Sequence, residues 1–240
     1  HFVCGKKIMK RPFIFCTSYI DSEYIYENRY KKWYSYYRKK TNLPIFFIDD
    51  ASTFNLVDTE NVNLNIDVCD SVKINFHTFK THLGRPGDFY VPGWARSFFY
   101  SLEIAKKFNF DSIIHLESDF FVLNDFLLNY ISNLDSGWTV LWCKKYQMAE
   151  TSCQIICEDQ YNTFVNAEIN YRKMVEKYDL PNMTREQIID LPNPNPVVIE
   201  HILPYTHINK IYIGDRYGEE NLDIQNDMDF YAQFPVTKNI

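Results

Sequence analysis

Short apolar runs alternate with longer segments of helical periodicity along the first half of the chain. Pro12-Phe13-Ile14-Phe15-Cys16 is apolar and β-prone, and it closes on the polar group Thr17-Ser18-Tyr19, which predicts a buried strand. Asp21 is the predicted N-cap of the helix that follows. From there to Lys40, Tyr26, Tyr30, Trp33, Tyr34 and Tyr37 recur at helical spacing, and Lys31, Lys32, Arg38, Lys39 and Lys40 form a solvated basic face. The cations thicken toward the C-terminal end, where the helix dipole favours them. Leu43 and Pro44 break the helix, and Ile45-Phe46-Phe47-Ile48 is a second strand ending in Asp49-Asp50-Ala51-Ser52. Strand, helix and strand in that order predict a parallel pair with a right-handed crossover.

A third strand is predicted over residues 71–76. The stretch from His82 to Gly93 holds Gly84, Pro86, Gly87, Pro92 and Gly93 and reads as a loop. Trp94 to Lys107 is a predicted helix with Ala95, Phe98, Phe99, Leu102 and Ala105 on one face, and Ser112-Ile113-Ile114-His115-Leu116 is a buried strand running into Glu117-Ser118-Asp119. Acids and hydroxyls thus fall at the C-terminal ends of three strands, the edge at which open α/β sheets bind ligands. The pattern then weakens. Trp138 to Trp142 reads as a strand, Asp159 to Lys177 as a helix, residues 191–196 as a proline-stiffened connection, and residues 212–218 as a glycine-containing turn. The polar stretch 226–240 reads as a poorly patterned tail.

Composition narrows the functional classes. With 240 residues and 46% apolar content the chain has enough material for one large domain. A formal net charge of -6 argues against a phosphate-tracking surface, so no nucleic-acid partner is expected. Eighteen tyrosines and nineteen phenylalanines suit sugar rings as well as a core, and most are assigned to the core and its margin. Cys4, Cys16, Cys69, Cys143, Cys153 and Cys157 are read as reduced thiols, because only the last two are close and no second Cys/His pair follows at zinc spacing. No apolar run approaches the ~20 residues of a membrane span. The expected location is cytoplasmic, with at most a peripheral membrane association.

Two carboxylates one residue apart at a strand end, Glu117 and Asp119, can address one hard cation, because the chain turns out of the sheet there. Oxygen ligands select Mn²⁺ or Mg²⁺ over zinc. In their order along the chain, Thr17-Ser18-Tyr19, Asp49-Asp50-Ala51-Ser52, Ala95-Arg96-Ser97 and Glu117-Ser118-Asp119 resemble the strand-end motifs T-x-Y, D-D-G-S, A-R-N and D-x-D of the large inverting family of glycosyltransferases with the GT-A fold. Ala51, Ser97 and Glu117 depart from the glycine, asparagine and first aspartate of that pattern.

The resemblance implies a fold, a site and a chemistry. The fold is α/β, a Rossmann-like single GT-A domain with a mainly parallel central sheet flanked by helices, in which about residues 11–125 bind the nucleotide-sugar and about residues 126–225 the acceptor. Thr17 and Tyr19 would line the nucleotide pocket, with Tyr19 stacked on the base. Asp49, within the Asp49-Asp50 pair, would meet the base or ribose, and Arg96 would steady the base or diphosphate. Asp119 would ligate the metal, with Glu117 beside it near the ribose or the metal's water shell. His201 or His207 could complete the metal site, as a late histidine does in some enzymes of this fold. Asp159, with Glu158 second, resembles an acceptor-side acidic pair and would serve as base, although the same acids also suit the first turn of a helix. The expected activity is metal-dependent transfer from a nucleoside-diphosphate sugar, UDP foremost, to a glycan or other saccharide hydroxyl. The alternative is a non-catalytic glycan-binding module on the same fold. A sugar nucleotidyltransferase would need a glycine-rich phosphate loop after the first strand, where Thr17-Ser18-Tyr19-Ile20-Asp21 has no glycine.

Overall fold

A computed structural model describes residues 11–56, 61–86, 90–143, 148–179, 182, 214–215 and 230–231. In chain order its elements are β1 (Pro12–Ser18), α1 (Glu23–Ile25), a π-helical turn (Tyr26–Tyr30), α2 (Lys31–Lys40), β2 (Ile45–Asp49), β3 (Val62–Asn63), β4 (Ile74–Thr78), α3 (Pro92–Phe108), β5 (Ser112–Leu116), β6 (Phe121–Val122), α4 (Asp125–Ser132), β7 (Trp138–Cys143), β8 (Met148–Cys157), a 3₁₀ turn (Glu158–Gln160), α5 (Tyr161–Tyr178), β9 (Gly214–Asp215) and β10 (Phe230–Tyr231).

The layers follow from the period of two in β1. Phe13 and Phe15 join an apolar cluster with Ala95, Phe98 and Leu102 of α3 and Phe164 and Tyr171 of α5. Ile14 and Cys16 face the other way, into a cluster with Trp33, Tyr34 and Tyr37 of α2 and Leu127, Leu128 and Ile131 of α4. Helices therefore cover both faces of one seven-stranded sheet of order β3-β4-β2-β1-β5-β8-β7. β3, β4, β2, β1 and β5 run parallel, and β8 runs antiparallel between β5 and β7. The mainly parallel α/β sheet expected from the pattern is present. A smaller three-stranded sheet, β6-β10-β9, lies beyond Asp119. None of the described helices is long and apolar enough to cross a membrane.

Local chemistry moved several boundaries. Ser22, not Asp21, caps the first helix, its Oγ accepting from Ile25 N at 3.4 Å while it donates to Asp21 Oδ1 at 2.8 Å. The third predicted strand begins at Ile74 because Asp70 Oδ1 accepts from Val72 N at 2.7 Å and Lys73 N at 3.0 Å, which curls residues 71–73 into a turn. Pro92 and Gly93 belong to α3, with Pro92 in the first turn where a missing N–H does no harm. β3, α4 and β8 lie where no element was predicted. Within the predicted tail, Phe230 and Tyr231 are buried and pair with Val122 and Phe121, and Gly214–Asp215 is a strand beside them, not a turn. Among the described residues, Cys16, Cys69, Cys153 and Cys157 are free thiols.

Candidate active site

β2 lies on one side of β1 and β5 on the other, so the region between the C-terminal ends of β1 and β5 is the switch-point crevice at which open α/β sheets bind ligands. Tyr19 follows one strand and Glu117-Ser118-Asp119 the other. The acidic turn is fixed at both ends, Glu117 N donating to Ser152 O and Phe120 N to Glu117 O, each at 2.9 Å. Tyrosines of the helix after β1 hold what flanks it. Tyr37 Oη donates to Phe120 O and accepts from Val122 N, both at 3.0 Å, and Tyr36 Oη donates to Val122 O at 2.7 Å. Tyr30 Oη accepts from Tyr19 N at 3.0 Å and donates to Tyr19 O at 3.2 Å. The aromatic stripe read as core filling thus also pins the two turns that border the crevice, through its phenolic hydroxyls.

The Asp49-Asp50 pair is shared between two structural duties. Asp49 is fully buried; its Oδ1 accepts from Ser18 Oγ at 3.1 Å and from Ser52 Oγ, and its Oδ2 from Ser52 N and Thr78 Oγ1, both at 2.8 Å. It clasps the ends of β1, β2 and β4, so the oxygens that the resemblance assigned to a base or ribose are engaged within the sheet edge. Ala51, where the resembled motif has glycine, has φ +59°, the left-handed region that a glycine enters freely. Asp50 is the hub of the loop before α3. It takes an ion pair from Arg96, lies 3.0 Å from His82 Nδ1, and accepts from Gly84 N at 2.8 Å and Leu83 N at 3.2 Å. Arg96 also donates to Thr81 O at 2.6 Å and lies over the Phe79 ring at 4.0 Å. Tyr19, whose ring was expected against a base, packs against the His82 imidazole with centroids 4.1 Å apart and planes inclined by 31°. Thr17 is half-buried in register with Ile48.

Across the crevice, Glu117 Oε1 accepts from Trp94 Nε1 at 3.0 Å, which ties the start of α3 to the end of β5. Asp119 Oδ2 accepts from Arg29 Nη2 at 2.8 Å, and Arg29 Nε donates to Ser118 Oγ at 2.7 Å. Asp119 Oδ1 is buried and has no hydrogen-bond partner among the described residues. Burial pulls the Arg29 pKa down, but Asp119, Tyr30 and Glu117 outweigh it, and the guanidinium is held above its ordinary value. Beneath these groups, burial pushes the Cys16 thiol well up. Arg29 opposes that rise, while Glu117, Asp49 and Asp119 add to it. The acids of β2 and β5 and the guanidinium therefore converge on one strand-end region.

Glu158 and Asp159 are not part of it. β8 runs against β5, with Leu116 opposite Cys153 and Ser112 opposite Cys157, so residues after Cys157 emerge at the other edge of the sheet. The five residues from Ser152, beside Glu117, to Cys157 carry the chain roughly 16 Å away at ~3.3 Å per residue. There Glu158 N donates to Asp111 O, and Asp159 accepts from Gly137 N at 3.0 and 3.1 Å. The expected acceptor-side base is thus corrected to a structural clasp, because the strand before it is antiparallel. His201 and His207 lie outside the described residues. Among the described residues no group of three or more His, Cys, Asp and Glu is arranged to hold a metal.

Sequence reasoning missed Arg29, His82, Trp94 and Ser118. Arg29 carried a signal: it lies three residues after Tyr26 and four before Trp33, so a cation stands on the apolar stripe of its helix. His82 and Trp94 carried none that distinguishes them from other loop and helix residues.

Comparison with protein-family models and with curated proteins gives no match. Solved structures do resemble the chain. A glycosyltransferase involved in glycosylation of the major capsid of PBCV-1 is 13% identical, with 92% of this chain and 91% of that chain covered at a TM-score of 0.47. The galactosyltransferase LgtC, solved in complex with donor and acceptor sugar analogs, is 13% identical over 76% of this chain and 69% of its own, at 0.42. S. aureus TarS 1–349 is 11% identical over 94% and 60%, at 0.40.

Proposed function

We propose that the crevice binds a nucleoside-diphosphate sugar, UDP being the nucleotide, together with Mn²⁺ or Mg²⁺, and transfers the sugar to a hydroxyl of a glycan or other saccharide. The observation that carries this reading is Asp119 Oδ1, a buried carboxylate oxygen without a partner at the switch point of a parallel sheet. Leaving a buried acceptor unsatisfied is unfavourable, and such groups concentrate where a ligand completes them. A hard cation held by one or two carboxylates and otherwise by phosphate oxygens fits this donor set, with Asp119 as ligand and Glu117 beside it. The bound ion would supply Lewis-acid stabilisation of the departing diphosphate.

The chain's own residues do the positioning. Tyr30 fixes the Tyr19 turn and Tyr37 the segment after Asp119, so the two rims keep their spacing. Asp50 and Arg96 hold the loop that brings His82 against Tyr19, and these two rings would offer aromatic surface to a nucleobase. In transfer, an acceptor oxygen bonds to the anomeric carbon as its bond to the phosphate oxygen breaks, and the hydroxyl proton passes to a base on the acceptor side. Asp159, bound to Gly137 N at the opposite edge of the sheet, is not proposed for that role.

A screen of UDP-, GDP- and dTDP-sugar hydrolysis with and without Mn²⁺ tests the reading. The expected result is cation-dependent release of a nucleoside diphosphate, lowered about 100-fold or more in a folded Asp119→Asn protein. Unchanged turnover in that variant removes Asp119 from the site. The Arg29–Asp119 pair favours one competing reading, a glycan-binding module with no chemistry; such a module binds glycan indifferently to Mn²⁺ and nucleotide.

A further inference from the structure

We infer that Arg29 is the internal counter-cation of the donor-free crevice, competing with a divalent ion for Asp119 and passing to the diphosphate when the donor enters. This rests on the donor-binding reading above and adds to it a residue that couples the two ligands.

The geometry of the guanidinium is the starting point. Arginine commonly grips a carboxylate with two parallel N–H bonds. Here the fork is divided, Nε going to Ser118 Oγ at 2.7 Å and Nη2 to Asp119 Oδ2 at 2.8 Å, and Asp119 Oδ1 is left over. One side of the carboxylate is neutralised, while the other, buried, is left without a partner for a cation to complete. The arrangement is part-buried, with 34% of the Arg29 side chain and 19% of the Asp119 side chain exposed, so both groups interact more strongly than a solvated pair yet remain reachable.

Local structure explains why the cation sits there. The segment Tyr26–Tyr30 is π-helical, a rare form frequently found at functional sites. Tyr30 at its end is anchored to both backbone groups of Tyr19, so Arg29 is presented from the β1 rim across the crevice to the β5 rim.

A divalent ion arriving on Asp119 Oδ1 would meet a like charge already on the same carboxylate, which weakens ion binding until the guanidinium has another acceptor. A diphosphate is such an acceptor, and arginine suits its oxygens well. Metal and diphosphate then favour each other's binding by a factor that runs through Arg29, and by linkage the effect is reciprocal.

Titration calorimetry with Mn²⁺ alone and with inorganic pyrophosphate alone tests this on the wild type, Arg29→Gln and Arg29→Lys. In Arg29→Gln, Mn²⁺ alone should bind about tenfold tighter and pyrophosphate alone about tenfold weaker, as expected for one charge-assisted contact exchanged. Arg29→Lys, which keeps the charge, should stay close to wild type in Mn²⁺ binding. Mn²⁺ affinity that is equal or weaker in a folded Arg29→Gln protein overturns the inference. If Asp119→Asn still abolishes Mn²⁺ binding in that case, the metal reading stands and only the role of Arg29 falls. If Mn²⁺ binds neither the wild type nor any variant, both fall together.

Discussion

Gly93→Ala is a substitution whose sign general helix propensity gets wrong. Gly93 lies in the first turn of α3, and replacing a helical glycine by alanine ordinarily stabilises by about 1 kcal/mol. A Cβ at this position, however, would lie 2.1 Å from Asp50 Oδ2, 2.6 Å from its Cγ and 3.0 Å from Gly84 N. The carboxylate has nowhere to retreat without loss. It is 7% exposed, paired with Arg96, and accepts from Gly84 N at 2.8 Å and Leu83 N at 3.2 Å. Giving up one hydrogen bond to a charged acceptor costs about 1.5–3 kcal/mol, and separating Arg96 from its partner up to about 3–5 kcal/mol. Set against the propensity gain, Gly93→Ala should destabilise by about 2–4 kcal/mol, which for a chain of this size lowers Tm by roughly 5–15 °C. Differential scanning fluorimetry and urea unfolding measure it directly. The cause is separable by a double-mutant cycle: in an Asp50→Ala background the same substitution has no carboxylate to displace and should become neutral or stabilising. A Tm that rises in Gly93→Ala alone, or falls equally in both backgrounds, refutes the packing argument.

Ala51→Gly should stabilise by about 0.5–1 kcal/mol, because it removes a Cβ from a residue at φ +59°; a urea midpoint that moves down instead of up contradicts this. His77 stacks on Tyr100 with centroids 4.4 Å apart, and burial, then Lys107, lowers its pKa from 6.5, so the folded state resists its protonation. The unfolded chain then binds more protons, and the stability His77 contributes is present above about pH 6.5 and lost as pH falls toward the depressed folded value. Melting curves between pH 7.5 and 5 should show this loss reduced in His77→Phe, and identical curves for both proteins would remove His77 as its cause.

What was legible in the sequence follows from where one physical effect dominates. β1, β2 and β5 are central parallel strands buried on both faces, and such strands read as unbroken apolar runs. α3 is long enough for its stripe to repeat several times. β8 is central too, yet it carries buried Ser152 and Gln154, whose polarity is answered in space, Gln154 Oε1 accepting from Trp138 Nε1 at 3.1 Å. That partner is sixteen residues away in sequence, so no local window identifies the run as buried. β10 is two residues whose strand character comes from pairing with β6, and Phe230 is recognisable as core only once its ring is seen stacked 5.3 Å from Phe120.

The same distinction governs the site. Glu117 and Asp119, like Asp49 and Asp50, were readable as strand-end acids because a strand end dictates where its next residues go. Their separate duties were not, because Asp49 turns inward on Ser18, Ser52 and Thr78 while Asp50 turns to Arg96 and Gly84, a choice made by neighbours on three strands and a loop. Asp159 was misplaced by the same gap in knowledge: once β8 is absent from the reading, nothing says that the chain has crossed to the far edge before reaching it. Arg29 shows the converse. A charge on an apolar stripe violates the helix's own pattern, and such local violations survive folding only where another group compensates them. Here the compensating group is Asp119, reached across the crevice from a different strand. A pattern-breaking residue near a strand-end acid is therefore informative in proportion to how well the rest of its helix obeys the rule.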